Sequence, residues 1–268
     1  SPQYAFSDNN QYSIGINGDI GKRNSMVLQN LAWTHGIFWD GRVLTLEEQI
    51  LSTVVEKTEM DEDWKNFFSE IKFDEDYNRM FYEAFGVKNP DSTHAAKAIT
   101  QFLTTMISSN SKYDRVLRNE DVFTPEENAG FASFNSFSGG DCFHCHGGIM
   151  GTDFSYKNNG LDDFPIDSGR GAVSKLNIDN FKFKVPSIRN IEYSAPYMHD
   201  GRFSTLDQVI NFYSIGVHPN SPNIDPLMEF SSQGGVQLNP QERLELKAFL
   251  LTLSDPEFIN NPKFSNPF

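Results

Sequence analysis

Cys142-Phe143-His144-Cys145-His146 reads C-x-x-C-H, and its two cysteines are the only ones among 268 residues. Two thiols three positions apart, followed at once by an imidazole, form the attachment signature of a c-type haem: the sulfurs add across the vinyl groups and the histidine binds the iron. Competing readings lack parts. A disulfide would close a very small loop, and a tetrahedral zinc site needs two further soft ligands in a second cluster. A thioredoxin-like pair expects a βαβ context and no histidine after it. Haem c is therefore expected on Cys142 and Cys145, with His146 as its iron ligand and His144 as a surface residue inside the motif.

Composition fits a globular carrier of such a group. A formal charge of −14 argues against nucleic acid or an anionic membrane as partner, and suits either plain solubility or steering of a basic redox protein. No apolar run reaches the roughly 20 residues needed to span a bilayer. Covalent haem attachment normally takes place outside the cytoplasm, so a periplasmic or otherwise extracytoplasmic location is expected, with anchoring through a trimmed N-terminal segment left open.

Working outward, one segment occurs twice. Asp40-Gly41-Arg42-Val43-Leu44-Thr45-Leu46-Glu47-Glu48-Gln49-Ile50 returns 160 positions later as Asp200-Gly201-Arg202-Phe203-Ser204-Thr205-Leu206-Asp207-Gln208-Val209-Ile210, and the same offset pairs Asn30 with Asn190 and Leu28 with Ile188. Such duplication is the mark of two copies of one supersecondary unit. In both copies a Gly-containing turn leads to a capping box, Thr45 with Glu48 and Thr205 with Gln208, that starts a helix. The second copy has its haem motif upstream, with Phe154-Ser155 shortly after His146. Phe6-Ser7 stands equally near the front of the first copy, so a second C-x-x-C-H is expected at or just before Ser1.

The remaining pattern is all-α. Trp64, Phe67, Phe68 and Ile71 follow a helical period after a cap at Asp61, and Tyr77, Phe81, Ala84 and Phe85 do so before Gly86; both predict amphipathic helices packing inward. Ile99, Phe102, Leu103 and Met106 mark another. Thr124-Pro125-Glu126-Glu127 predicts a helix leading into the haem motif, and Asn239-Pro240-Gln241-Glu242 predicts a final helix with Leu244, Ala248 and Leu251. Between Gly147 and Lys184 the Gly-, Asp-, Asn- and Ser-rich composition predicts a loop around a cofactor. A polar stretch near Asn119 suggests a boundary between units 1–118 and 119–268.

Taken together, Gly21-Lys22-Arg23-Asn24, Phe38-Trp39-Asp40-Gly41-Arg42, Leu46-Glu47-Glu48-Gln49, Glu59-Met60, the haem motif, Val185-Pro186-Ser187-Ile188-Arg189-Asn190 and Ala195-Pro196-Tyr197-Met198-His199-Asp200-Gly201 carry a resemblance. Over nearly its whole length the chain resembles the bacterial di-haem cytochrome c peroxidases and their MauG relatives. The resemblance implies two cytochrome c-like domains, an N-terminal peroxidatic haem, a C-terminal electron-transfer haem and a calcium ion between them. It also places the first attachment motif immediately before Ser1, and without that haem the chain alone could not be a peroxidase.

The same resemblance assigns roles. Trp39 matches a tryptophan between the haems, a relay for electrons or a shared radical; without the resemblance it reads as a core aromatic. Glu59 matches a carboxylate over the peroxidatic haem that moves a proton between the peroxide oxygens, and Gln49 belongs in the same distal pocket. Asn24, Ser194 and Pro196 match calcium ligands, the last two through backbone oxygens. Some family members carry a blocking histidine in the loop matching Ser7 through Lys22; none stands here, which implies an open site.

The second axial ligand of the haem on Cys142 stays open between residues. Tyr213 shares a helix face with Leu206, Val209 and Ile210, and matches a methionine ligand in the peroxidases and a tyrosine ligand in MauG-like proteins. Met198 is the chemical alternative, with Met228 and His218 behind it. A thioether favours reduced iron, whereas a phenolate favours higher oxidation states. Three functions follow. The first is a peroxidase reducing hydrogen peroxide with electrons from a small donor such as a cytochrome c; the second, a MauG-like oxidase using a high-valent di-haem state on a partner protein; the third, a single-haem electron carrier.

Overall fold

A computed structural model of the chain describes residues 1–266. Its helices are α1 (Leu46–Val55), α2 (Trp64–Ile71), α3 (Glu75–Phe85), α4 (Ser92–Thr104), α5 (Lys112–Leu117), α6 (Pro125–Phe134), α7 (Phe143–His146), α8 (Gly171–Ser174), α9 (Leu206–Asn211), α10 (Pro240–Leu251) and α11 (Pro256–Ile259). Strand is confined, among the described residues, to a two-residue antiparallel pair, β1 (Tyr156–Lys157) with β2 (Phe183–Lys184), and isolated bridges. No helix among these residues is long and apolar enough to cross a membrane.

The duplicated segment has the same backbone in both places. Asn30 and Asn190 are left-handed at φ 55° and 56°, each followed by a one-turn 3-10 helix. Gly41 and Gly201 adopt φ 64° and 63°. Ile37 bridges Val43 just as Tyr197 bridges Phe203. Both capping boxes form, with Thr45 and Thr205 each accepting from the backbone N–H three residues on. Asparagine is among the few non-glycine residues that adopt this left-handed conformation routinely.

Around α6 and α10 lies one core, with Phe134, Ile188, Ile210, Leu246, Phe249 and Leu250. Gly130 lets these two helices touch: a Cβ there would stand 1.9 Å from the Glu245 carbonyl oxygen. A second core gathers Ala5, Ile37, Leu46, Leu103 and Met106 with Phe258 and Ile259 of α11. The last helical turns thus fold back onto the front of the chain, and α10 is not the final helix.

Four expectations need correction. The cap of α2 is Asp63, which accepts from Lys65 N–H, while Asp61 is left-handed. Helices α2 and α3 bury no residue; Trp64, Phe67, Phe68, Phe81 and Phe85 stack on one another instead, because the aromatic stripe is satisfied within the pair. In α10 the buried face is Leu246, Phe249 and Leu250, leaving Leu244 at 60% exposure; leucines interleaved with Glu245 and Lys247 mark no single apolar stripe. Likewise Ile99 and Phe102 of α4 are exposed, whereas Leu103 and Met106 are buried.

A buried polar knot joins the two repeats. Asn190 donates to the Gln29 side chain and, at 3.0 Å, to Ser108 Oγ, and its Oδ1 accepts from Asp255 N–H at 2.7 Å. Gln29 donates to the Arg189 carbonyl at 2.6 Å, and Asn30 pairs with the Ser108 backbone through both N–H and carbonyl. Asp255, 1% exposed, accepts from Ser108 Oγ and the Ser109, Asn110 and Phe258 amides. Replacing Asn190 with alanine strands these groups and strains a left-handed backbone, so N190A should cost about 3 kcal/mol of unfolding free energy in guanidinium titrations of the haem-loaded protein. Lys247→Ala, which breaks only the exposed pair with Asp207, should cost under about 1 kcal/mol.

Candidate haem site and neighbouring cavity

Helix α6 delivers the chain to the attachment motif. Cys142 N–H donates to the Phe134 carbonyl at 3.1 Å, and Gly140 sits so close that a Cβ there would lie 3.2 Å from Cys142 Sγ. His146 N–H then closes a helical turn on the Cys142 carbonyl at 2.9 Å. In that turn Cys142 and Cys145 share a face, as positions three apart must. Both sulfurs are free. Burial pushes the Cys142 thiol up to about 12 and Cys145 to about 11, so neither is poised as a thiolate.

His146 Nδ1 lies 3.2 Å from the Gly151 carbonyl oxygen. A proton donated there leaves Nε2 with the free lone pair, the tautomer a metal-bound imidazole needs. Burial lowers the imidazole below its ordinary value, which keeps that lone pair available. No group of three or more His, Cys, Asp or Glu able to hold a metal ion occurs among the described residues. Two free thiols and one imidazole on a single turn fit iron porphyrin, which two thioethers and the His146 imidazole would hold. His144 is half-buried beside Asp141 at 2.9 Å, outside the ligand set.

Beyond α9 the chain widens into one π-helical turn, Phe212–Gly216. Such turns occur mostly at functional sites. Tyr213 is its second residue, and its hydroxyl accepts from Asn159 Nδ2 at 2.9 Å. Burial raises the phenol to about 12 against that hydrogen bond, and the Cys145 and Cys142 sulfurs add to the rise. The same Asn159 amide lies 3.7 Å from Met198 Sδ. Tyr213 and Met198 are thus brought to one point. His218 is instead a half-exposed partner of Asp163, while Met228 packs with Tyr213 and Met198 against Leu161, Phe212 and Val217.

The other expected residues assemble elsewhere. Trp39, Gln49 and Glu59 line one cavity of about 1650 Å³, together with Asn24, Ser194, Pro196 and Met198. Pockets for ordinary small molecules hold about 300–1,000 Å³, so the space suits something macrocycle-sized. Cys142, Cys145, His146 and Tyr213 are not among its lining residues.

Local structure fixes each wall. Gln49 rides on α1 behind the Thr45–Glu48 capping box, and Glu59 is held by its carbonyl, which accepts from Ile16 N–H at 2.8 Å. Gly15 lets the two loops meet, since a Cβ there would lie 2.5 Å from Thr58 O. The Trp39 indole donates to the Asn24 carbonyl at 2.8 Å, and the edge of its ring meets His199, itself stacked 3.6 Å from Phe183. Asn24 spends its amide nitrogen on the Asn10 and Gln11 carbonyls. Its Oδ1, with Ser194 and Pro196 in the same lining, offers the neutral oxygen donors calcium accepts, water filling the rest of the shell.

Sequence reasoning missed Asn159, an amide in the irregular loop with no periodic signal, and Lys184, whose charge reads as surface in a linear sequence. It also missed the π-turn, since the pattern from Leu206 continues as an ordinary helix. His199 was visible only as part of a longer motif.

Comparison with known proteins agrees with this construction. Residues 1–122 match the profile of the family described as Di-haem cytochrome c peroxidase. The chain is 30% identical over 268 residues to the methylamine utilization protein MauG of Methylorubrum extorquens, covering 98% of this chain and 73% of that protein. It is 30% identical over 214 residues to MauG of Methylophilus methylotrophus, covering 80% of this chain and 64% of that relative. Further relatives bear the name cytochrome-c peroxidase. Among solved structures, a MauG-like protein associated with microbial copper homeostasis superposes with a TM-score of 0.89 at 29% identity, over 99% of this chain and 85% of that one. With its haem-attachment motif, its helix-rich fold and these relatives, the chain belongs to the di-haem cytochrome c peroxidase and MauG family, whose members carry haem c.

Proposed function

We propose that this chain is the body of an extracytoplasmic di-haem peroxidase, in which an N-terminal unit, 1–118, reduces hydrogen peroxide and a C-terminal unit, 119–268, receives electrons from a small redox donor. The single observation that carries the reading is the meeting of Trp39, Gln49 and Glu59 in one large cavity, apart from the Cys142–His146 motif. A second haem is proposed for that cavity; its attachment motif is not among these 268 residues. When bound, the two haems supply the redox chemistry.

The chain's own residues do the rest. His146, tied to Gly151, holds the electron-entry haem in one orientation. Trp39 is clamped by its indole hydrogen bond in the cavity wall and gives an aromatic step toward the second site. Glu59 takes the proton from the near peroxide oxygen and returns it to the far one, which then leaves as water. Gln49 lines the same space with an amide able to orient the bound peroxide. A calcium ion at Asn24, Ser194 and Pro196 would stiffen the wall between the sites.

A second reading has its own observation. Tyr213, partly buried in the π-turn and hydrogen-bonded to Asn159, favours a MauG-like oxidase that keeps oxidising equivalents and spends them on a partner protein. Peroxide titration of the full-length native protein under a steady supply of reduced cytochrome c tests both. Sustained turnover supports the peroxidase; oxidising equivalents retained for minutes without turnover support the oxidase. A full-length protein with one haem and no response to peroxide would leave only an electron carrier.

Two variants sharpen the assignment. Glu59→Gln should lower kcat/KM for peroxide about 100-fold or more with haem content unchanged, measured by stopped-flow oxidation of the donor. Tyr213→Met should raise the midpoint potential of the C-terminal haem in protein-film voltammetry, since a thioether favours reduced iron. An unchanged potential there, with a shift in Met198→Leu, would transfer the ligand role to Met198.

A further inference from the structure

Lys184 is 4% exposed, and among the described residues the only hydrogen bond its ammonium makes is to the Gly36 carbonyl, at 2.6 Å. It lines the large cavity on the side of Trp39, whose carbonyl accepts the Lys184 backbone N–H at 2.8 Å, and the ammonium also sits 5.5 Å over the Phe154 ring. Other cations of that wall are accounted for. Arg23 is bound to Asp40 and Asp167, Arg42 to Asp40, and Arg202 to Asp162 and Asp200, while Lys22 is exposed. Among the described residues, Lys184 is the buried cation of the cavity with no carboxylate beside it.

A lone ammonium out of water is costly, and proteins offset that cost with an anion or by releasing the proton. Burial already pulls Lys184 down to about 8, so the charged form is held weakly while the cavity has no anion to offer. One carbonyl oxygen satisfies one of three N–H donors and supplies no opposite charge. In a chain with 36 acidic residues against 22 Lys and Arg, an unpaired buried lysine facing a macrocycle-sized space is a feature that the fold alone does not require.

We propose that Lys184 is the anchor for a carboxylate of the cavity's occupant, a propionate of the N-terminal haem. This rests on the reading of the cavity as a haem site. The ammonium fixes one edge of the macrocycle against β2, the strand whose backbone also holds Trp39, so the same residue sets where the ring sits relative to the indole. Its charge disfavours the oxidised form of that haem over the other. Lys184 is thus a binding and positioning residue, and it takes no part in bond making.

Spectroelectrochemistry of the full-length di-haem protein tests this. Lys184→Met, with haem content verified, should lower the midpoint potential of the N-terminal haem and leave the C-terminal one in place; Lys184→Arg, which keeps the charge, should stay near wild type. Equal potentials in all three proteins, or a shift confined to the C-terminal haem, would overturn the assignment. Should K184M fail to accumulate, the unmodified protein still decides: the resonance Raman propionate-bending band of the N-terminal haem should shift between H2O and D2O and change in K184R, and a band insensitive to both rejects the contact. A full-length protein that binds one haem would instead overturn the functional reading on which the assignment rests.

Discussion

Asn190 holds the centre of this molecule. Its backbone is left-handed, its side chain is fully buried, and every polar atom of its amide is used: nitrogen to Gln29 and Ser108, oxygen to the Asp255 N–H. Hydrogen bonds in so dry a setting are strong together and costly when broken singly, because each orphaned group loses water without gaining a partner. The knot unites the first repeat through Gln29 and Asn30, the interrepeat segment through Ser108, and the last helical turns through Asp255. Next along the chain, Arg189 makes a paired contact with buried Asp114 and Ile188 N–H donates to the Gly151 carbonyl, the same oxygen that faces His146 Nδ1. The orientation of the iron-binding imidazole is therefore tied, within a few bonds, to the junction of the repeats.

Two electrostatic regimes surround this junction. At the attachment motif burial acts against charge: both thiols and the Tyr213 phenol are pushed up, and the His146 imidazole is pushed down. With these donors held neutral, the identity of the axial donor would have a large effect on the potential of a haem bound there. Asn159 stands at the branch, touching both the phenol and the Met198 thioether. In the neighbouring cavity charge is instead neutralised in place, with Arg23 shared by Asp40 and Asp167 and Arg202 by Asp162 and Asp200. Lys184 departs from that pattern, which is why its position carries information.

What the linear sequence made legible was local. The C-x-x-C-H turn and the capping boxes at Thr45, Thr124, Thr205 and Asn239 depend on residues a few positions apart, and each forms as its chemistry dictates. The gathering of Trp39, Gln49 and Glu59 in one cavity came from the resemblance, since nothing in their spacing places them together. Choices between faces were less legible: Leu244 against Leu246 on α10, or Ile99 against Leu103 on α4, are decided by a partner helix absent from any local window. The return of Phe258 and Ile259 to the core around Ala5 and Leu46 is the extreme case, a contact across nearly the whole chain.

The short sheet ties the attachment motif to the wall of the large cavity. Asp153 N–H donates to the Cys145 carbonyl at 2.8 Å, fixing the loop to the attachment turn. Three residues on, Tyr156 in β1 pairs with Lys184 in β2, and Lys184 N–H reaches the Trp39 carbonyl. Arg170 packs over the Tyr156 ring while donating to the Asp40 and Gly41 carbonyls, so side chains repeat the link that the backbone makes. Each step is short and hydrogen-bonded, and two residues of sheet suffice because they need only hold register between a cysteine and an indole. Were Trp39 to relay electrons as proposed, preorganisation of this kind would remove the need to position it at the moment of transfer.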